Sequence, residues 1–385
     1  MKDPDVIIVG AGVVGSIIAR ELAEAGSKVL ILEKRSHIAG CAYDEKDASG
    51  ILYHKYGPHI LHFEDWHNFD YLSKYTEFVP YQHYVTAEID GKEVPLPFNL
   101  NSIDKLFEVH EAIELKDLLI KTYGLESKVP ILKLRTAENP KIRSLADFIY
   151  EKVFLHYTMK MWGISPEEID PSIIGHVPVR ISYDNRHFIS PIQVMPKEGF
   201  TKLFQNLLNH RNITVKLNTD ALSCMKLKEG EVFYNGKVFS GKIIYTGRVD
   251  ELLGLKYGEL PYRSLYFEHN VYKVNRLQTT AVLNFPDDRP EMRRTEHKLL
   301  VCQPNVPGVT STTTEYPGEY NRNSSKWNEP YYPIITEESK EIYDKYVKEI
   351  SEYSNIVLVG RLAQFKYYEM GQAIDAAFAK LKEII

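Results

Sequence analysis

Val6 to Glu33 reads VIIVGAGVVGSIIARELAEAGSKVLILE. Val6 to Gly10 is a short apolar run, Ser16 to Ala25 carries apolar residues at helical spacing, and Lys28 to Glu33 returns to an apolar run. The order is strand, helix, strand. Gly10, Gly12 and Gly15 stand as G-A-G-V-V-G between the first strand and the helix, the context a dinucleotide fingerprint requires. Gly10 permits the tight turn, Gly12 lets backbone approach a pyrophosphate at the positive helix N-terminus, and Gly15 allows helix and strand to pack closely. Glu33 ends the second strand, where a carboxylate accepts hydrogen bonds from a ribose diol and disfavours a 2'-phosphate. These residues select NAD or FAD over NADP.

Working outward, Val94 to Asn99 reads VPLPFN, and its two prolines exclude a central strand and predict an edge or a crossover. From Asn101 to about Ile169 apolar residues recur at spacings of three and four, as in SLADFIYEKVFLHYTMKMW, which predicts a helical insert closed by Pro166 and Pro171. PVRISYD, RSLYFEHNVYKV, TTAVLNF and KLLVCQ then read as antiparallel strands between turn signals. Asn355 to Gly360 returns as a buried strand, and Met370, Ala373, Ile374, Ala377, Phe378 and Leu381 form one helical face. The expected fold class is α/β: a discontinuous Rossmann-like domain over residues 1–80, 196–250 and 340–385, a helical insert over 99–175, and an antiparallel β-sheet substrate domain over 81–98, 176–195 and 251–339.

A chain of 385 residues has room for several units sharing one cleft. With 44% hydrophobic and 26% charged residues and a net charge of -5 it carries no electrostatic footprint for nucleic acid. Cys41, Cys224 and Cys302 form no CxxC pair and no metal-ligand spacing, so a reducing, cytoplasmic setting and no metal are expected. No apolar run approaches the roughly 20 residues of a membrane span, so neither signal peptide nor membrane anchor is expected. The 26 tyrosines suit stacking on bases and sugars, with packing as the plainer reading for most of them.

Lys34, Arg35 and SHIAG after Glu33 resemble the extended motif of flavoproteins related to glutathione reductase and amine oxidases, which favours FAD over NAD. In that motif a Gly-Gly pair follows the acid; here it is Ala39-Gly40. IIYTGRVDELLG at Ile243 to Gly254 and VGRLAQFKYYEMGQAI at Val359 to Ile374 resemble the same superfamily, the second implying a helix N-terminus beside the flavin. HKYGPHILH (His54 to His62), YTMKMWG (Tyr157 to Gly163), VPVR, MPKEGFTKL, YRSL, RTEHK, YYP and VGRL look like segments of bacterial UDP-galactopyranose mutases across nearly the whole chain.

That resemblance implies a reduced flavin whose N5 attacks the anomeric carbon, displaces the nucleoside diphosphate and carries the sugar as an adduct while its ring opens and recloses. UDP-galactopyranose and UDP-galactofuranose would interconvert without net redox change, for cell-surface polysaccharide biosynthesis. It implies catalytic roles for Arg293, Tyr316, Tyr367 and His62. It places Phe154 on the base, Tyr157 and Trp162 around the uridine part, and Thr158, Arg180, Arg263 and Tyr332 among the other substrate-binding residues. The cofactor-binding positions are Gly10, Gly12, Val14, Gly15, Glu33, Lys34, Arg35, Gly40, Cys41, Tyr56, His59, Arg361, Tyr368, Glu369 and Met370. For the arginines a surface ion pair competes with phosphate binding, and for the insert aromatics core packing competes with stacking. Four substrate-side positions depart from the family pattern: His176 stands for a mobile-loop arginine, His187 for a tyrosine near the nucleotide, His83 for a sugar-side asparagine and Glu369 for an aspartate beside the flavin. They leave open a relative acting on another nucleotide sugar, such as dTDP-fucopyranose. An amine-oxidase-type oxidoreductase and a silent nucleotide-sugar binding protein are the competing classes. A homodimer through the insert is implied by the same resemblance.

Overall fold

The protein is described by a computed structural model over residues 4–163 and 178–384. Its first layer is a five-stranded parallel sheet in the order Ile213–Lys216, Val29–Leu32, Val6–Val9, Lys242–Tyr245, Ile356–Leu358. Strands buried on both faces must be apolar throughout, and VIIV and VLIL are. On one face, Ile17, Ile18 and Leu22 of the helix Val13–Glu24 pack with Phe200, Leu203 and Phe204 of Phe200–Leu208 and Ile374, Ala377 and Leu381 of Met370–Ile384. The other face buries Ile7, Leu30 and Ile243 beneath Tyr346 and Ile350. The sheet therefore recruits segments from both ends and the middle of the chain. The last strand, Ile356–Leu358, is half-buried because it lies at the sheet edge.

The second sheet has seven strands in the order Tyr332–Pro333, Tyr262–Tyr272, Thr310–Glu319, Arg293–Glu296, Val282–Asn284, Val85–Ile89, Lys92–Leu96. All neighbours run antiparallel except Val282–Asn284 against Val85–Ala87. Lys92–Leu96, with Pro95, occupies the edge, where a missing N–H is tolerated.

The insert opens at Asn99, whose side chain accepts from the backbone N–H groups of Asn101 and Ser102 in a capping box with Ser102. Its helices Leu100–Leu106, Val109–Tyr123, Ile131–Arg135 and Pro140–Ile149 bury one apolar face against Val85, Ala87, Val94 and Leu96 of the sheet edge. A π-helical turn, Tyr150–Leu155, leads into the helix His156–Trp162.

Two expectations are corrected here. KLLVCQ forms no strand; His297–Leu299 is a 3-10 turn, and the Lys298 ammonium donates to the carbonyls of Val306 at 2.7 Å and Val309 at 2.8 Å. A short apolar run does not by itself distinguish strand from buried turn. Residues 176–195 were assigned to the substrate sheet, yet Val179–Ile181 pairs with Ser127–Val129 of the insert, and Ile192–Pro196 pairs with Leu61–Phe63 and Phe78–Pro80. Tertiary pairing, which spacing does not encode, divides that stretch. Pro166 and Pro171 lie outside the described residues.

Candidate active site

A cleft of about 560 Å³ runs along the ends of the parallel strands. Gly10 sits at φ +100°, where a Cβ would come within 2.3 Å of Thr246 Oγ1, and a Cβ on Gly15 would lie 2.1 Å from the Gly10 carbonyl oxygen. A Cβ on Gly12 would meet only the Gly40 Cα, at 3.9 Å, so its openness serves whatever approaches from the cleft. The Glu33 carboxylate accepts from the N–H of Ala11 at 2.8 Å and of Arg35 at 2.9 Å, which fixes it at the end of its strand. Those two bonds leave lone pairs for a ribose diol. Val14, Lys34, Arg35, Gly40, Cys41, His59, Arg361, Tyr368, Glu369 and Met370 line the same cleft. The helix Met370–Ile384 begins there.

Arg35 is ion-paired with Glu329 and lies over the Tyr56 ring, 5.4 Å from its centroid. Tyr56 stands behind the cleft wall; its hydroxyl contacts His37 Nε2 at 2.9 Å, and burial pushes its pKa up to about 12. His59 Nδ1 donates to the Gly57 carbonyl at 2.9 Å, and burial lowers its pKa to about 3, so the ring is neutral with Nε2 as an acceptor. The cleft fits a dinucleotide on these grounds: a glycine floor without side chains, a fixed acid for a ribose and two helix N-termini.

Beyond Tyr331 and Arg361 of the cleft lining, the antiparallel sheet contributes Arg293. Strand register sets Arg293 opposite Glu315, with Nε and Oε1 2.9 Å apart but out of hydrogen-bond alignment. Glu315 is fully buried; burial raises its pKa and Arg293 opposes that rise. Burial would lower the Arg293 pKa, but Glu315, Tyr157 and Tyr332 outweigh it and hold the guanidinium charged. Tyr157 and Tyr367 pack into one cluster with Leu265, Met292, Tyr331 and Tyr332, and the Tyr332 and Tyr367 rings lie 5.7 Å apart. Arg361 stands over both rings, 5.6 Å from each centroid, and binds the carbonyls of Tyr331 at 3.2 Å and Tyr368 at 2.5 Å.

A histidine wall flanks this pocket. His62 stacks on Phe188 at 3.9 Å, its Nδ1 meets Ser190 Oγ at 3.2 Å and its Nε2 lies 3.5 Å from Glu369. Burial lowers its pKa, against the pull of Glu369 and Glu64. His83 and His187 pack edge to face at 5.7 Å, and both lie against Phe188. Burial drives His83 well below its ordinary value and His187 to about 4, with the Arg293 charge adding to both shifts.

Three expected substrate residues, Arg180, Arg263 and Phe154, and one expected catalytic residue, Tyr316, have other partners in the structure. Arg180 donates to the carbonyls of Arg186 and His187, so it braces the histidine loop. The Arg263 guanidinium donates to the carbonyls of Met161 at 3.0 Å and Lys160 at 2.8 Å, where a cation complements the negative end of a helix. Strand alternation turns Tyr316 to the face opposite Glu315, and its hydroxyl donates to Glu268 at 3.1 Å. Phe154 belongs to the insert core, the packing reading of its helical spacing. Thr158 is half-buried on the helix His156–Trp162. The Trp162 side chain and His176 lie outside the described residues.

The sequence reading missed Glu315, Phe188, Ser190, Glu329 and the cleft residues Asp220 and Arg248. One signal was available: Glu315 is a lone acid ending the run TSTTTE, every residue of which is buried.

A glycine-floored cleft on a parallel sheet, with a fixed acid at the end of the second strand, defines a Rossmann-type dinucleotide-binding protein. The sequence profile of the UDP-galactopyranose mutase family matches residues 152–367, and that of NAD(P)-binding Rossmann-like domains matches residues 8–75. The UDP-galactopyranose mutase of Mycoplasma pneumoniae is 32% identical over 384 residues, covering 99% of this chain and 96% of that protein. The probable UDP-galactopyranose mutase of Klebsiella pneumoniae is 33% identical, covering 100% and 96%, and the dTDP-fucopyranose mutase of Escherichia coli is 33% identical, covering 97% and 96%. A crystal structure of reduced UDP-galactopyranose mutase shares the fold with a TM-score of 0.75 at 17% identity, covering 100% of this chain and 94% of that one. The chain belongs to the UDP-galactopyranose mutase family and is an isomerase of the mutase type. No helix among the described residues is long and apolar enough to cross a membrane.

Proposed function

We propose that the chain interconverts UDP-galactopyranose and UDP-galactofuranose with FAD in its reduced form, for cell-surface polysaccharide. The observation that carries this reading is the charged, half-buried Arg293 near Tyr157, Tyr332 and Tyr367, a cluster joined to the dinucleotide cleft through Tyr331 and Arg361. A flavin held by Gly10, Gly12, Gly15, Glu33 and Met370 supplies a nucleophilic nitrogen when reduced and ends the cycle in the state in which it began. The protein's own part is to orient and to stabilise charge. Arg293 opposes the charge that gathers on a departing diphosphate, in a pocket where burial strengthens that interaction. Tyr157, Tyr332 and Tyr367 wall off water and offer hydroxyls to phosphate or sugar oxygens. His62, held by Ser190, and Glu369 face one another at 3.5 Å.

A second reading is dTDP-fucopyranose as substrate. It is favoured by His83 and His187, packed on Phe188 where the family pattern has an asparagine and a tyrosine, and by the similarity to the Escherichia coli enzyme. Chromatography of UDP-galactose and dTDP-fucose after incubation with dithionite-reduced protein tests both. Conversion of UDP-galactose at the higher kcat/KM supports the first reading, preference for dTDP-fucose replaces it with the second, and conversion of neither removes both.

A further inference from the structure

We infer that Lys160 is a positioning residue for substrate binding, its ammonium joining the helix that carries Tyr157 to the hairpin that carries Arg293. The inference rests on the reading of their shared pocket as the nucleotide-sugar site. Lys160 Nζ donates to the carbonyl oxygens of Phe285 at 2.5 Å, Glu291 at 2.8 Å and Arg289 at 3.1 Å. An ammonium has three N–H donors and no acceptor, so three converging carbonyls engage it fully.

Those carbonyls belong to the connection between Val282–Asn284 and Arg293–Glu296, the hairpin that ends in Arg293. Phe285 N–H donates to the Met292 carbonyl at 2.9 Å, and Met292 N–H donates to the Glu315 carbonyl at 2.8 Å, so the loop is tied to the strand opposite Arg293. Met292 is fully buried in the aromatic cluster that Tyr157 joins. Lys160 stands three residues from Tyr157 on one helix, a spacing that puts both side chains on neighbouring positions of one face.

Arg263 fastens the other side of the same helix end through the carbonyls of Lys160 and Met161. The helix follows the π-helical turn Tyr150–Leu155, a break in the regular α ladder that leaves its setting to such outside contacts.

A surface lysine would instead be solvated or paired with an acid. Here Asp287 is paired with Arg289, at 2.6 Å. Burial lowers the Lys160 pKa to about 8 against the pull of Asp287, Glu291 and Asp288, so the charge is kept at some cost in a place chosen by geometry. Among the described residues its hydrogen-bond partners are all backbone, which is what a clamp between two elements requires.

The test measures KM and kcat with UDP-galactose, and the Kd of UDP, for the flavin-loaded wild type, Lys160→Met and Lys160→Arg. A weakened charge-assisted contact between pocket and ligand, with each ~1.4 kcal/mol a factor of ten, is read as about 10- to 100-fold in binding. Lys160→Met is expected to raise KM and the UDP Kd by that factor, with kcat within about threefold and flavin content unchanged. Lys160→Arg, whose guanidinium reaches the same carbonyls, is expected to recover most of the loss. Unchanged KM and Kd in Lys160→Met overturn the inference, as does a fall in kcat alone. If Lys160→Met loses flavin, Lys160→Gln is measured in its place: its shorter amide has two N–H donors for three carbonyls, so KM and the UDP Kd are expected to rise in the same direction, and wild-type values there overturn the inference equally. Failure of the wild type itself to bind UDP would count against the nucleotide-sugar reading instead.

Discussion

At the dinucleotide end the groups that face the ligand are mostly backbone, exposed by Gly10, Gly12 and Gly40 and fixed within some thirty residues of sequence. At the sugar end they are side chains drawn from five separated stretches, and most of the cations there are already held by protein. Arg180 is bound to the carbonyls of Arg186 and His187, Arg263 to those of Lys160 and Met161, and Lys160 to those of Phe285, Arg289 and Glu291. Arg293 alone of these four is set against a carboxylate, with no hydrogen bond closing its Nε. Counting cations near a pocket therefore overestimates the charge it offers to a ligand. Three of the four are bound to backbone carbonyls, and Arg293 is the one that the proposed function sets against a diphosphate.

The sharpest way to break this division is Arg293→Ala. Loss of an electrostatic stabiliser of this kind costs about 2.7–4 kcal/mol, or roughly 100- to 1000-fold in kcat, and flavin content should not change because Arg293 does not line the dinucleotide cleft. Steady-state rates with flavin absorbance on the same sample check both halves. Near-normal turnover removes Arg293 from its role.

Glu33→Ala probes the other end. It removes acceptors from the N–H groups of Ala11 and Arg35 as well as a ribose contact, and a charged hydrogen bond is worth about 1.5–3 kcal/mol. FAD retention in equilibrium dialysis should weaken by roughly tenfold or more, while kcat of the flavin-saturated variant stays near wild type. Unchanged retention takes Glu33 out of the site.

The glycine fingerprint, its flanking strands and Glu33 were legible because one local segment contains both the chemistry and the geometry. The Arg293–Glu315 opposition was not, since it depends on the register between two separate strands. Tyr316 shows the limit from the other direction. A family motif supplies the residue type, but strand alternation decides its face, and here Tyr316 turns toward Glu268 while its neighbour Glu315 turns inward. Phe154 was a packing residue whose helical spacing said as much. The division of residues 176–195 between two sheets likewise follows from long-range pairing.

Histidines at both ends give the next prediction. Burial lowers His54 to about 4, His59 to about 3 and His187 to about 4, below the roughly 6.5 of an unfolded imidazole. A depressed folded pKa means that the unfolded chain binds more protons below that value. The stability is therefore present above about pH 6.5 and is lost as pH falls toward 4. Thermal denaturation of the holoenzyme should show Tm falling through that window, and His187→Gln should reduce the slope. A flat profile between pH 7 and 4.5 contradicts the neutral, buried assignment.

The smallest effect is expected at Ala39, which takes the place of a glycine at φ +71° beside Gly40. A left-handed alanine costs roughly 1–2 kcal/mol, partly offset by the greater freedom glycine gives the unfolded chain. Ala39→Gly should raise stability by up to about 1 kcal/mol in urea unfolding, without altering kcat. A loss of stability would mean that the alanine methyl packs better than its backbone suffers.

The central claim, isomerisation at a reduced flavin without net redox change, is tested most directly by following flavin absorbance and product together under anaerobic conditions. The account predicts that dithionite-reduced protein, freed of excess reductant, brings UDP-galactose to its pyranose–furanose equilibrium over many turnovers while the flavin stays reduced, and that oxidised protein produces none. Flavin reoxidation in proportion to product, or equal rates from oxidised and reduced protein, would contradict it.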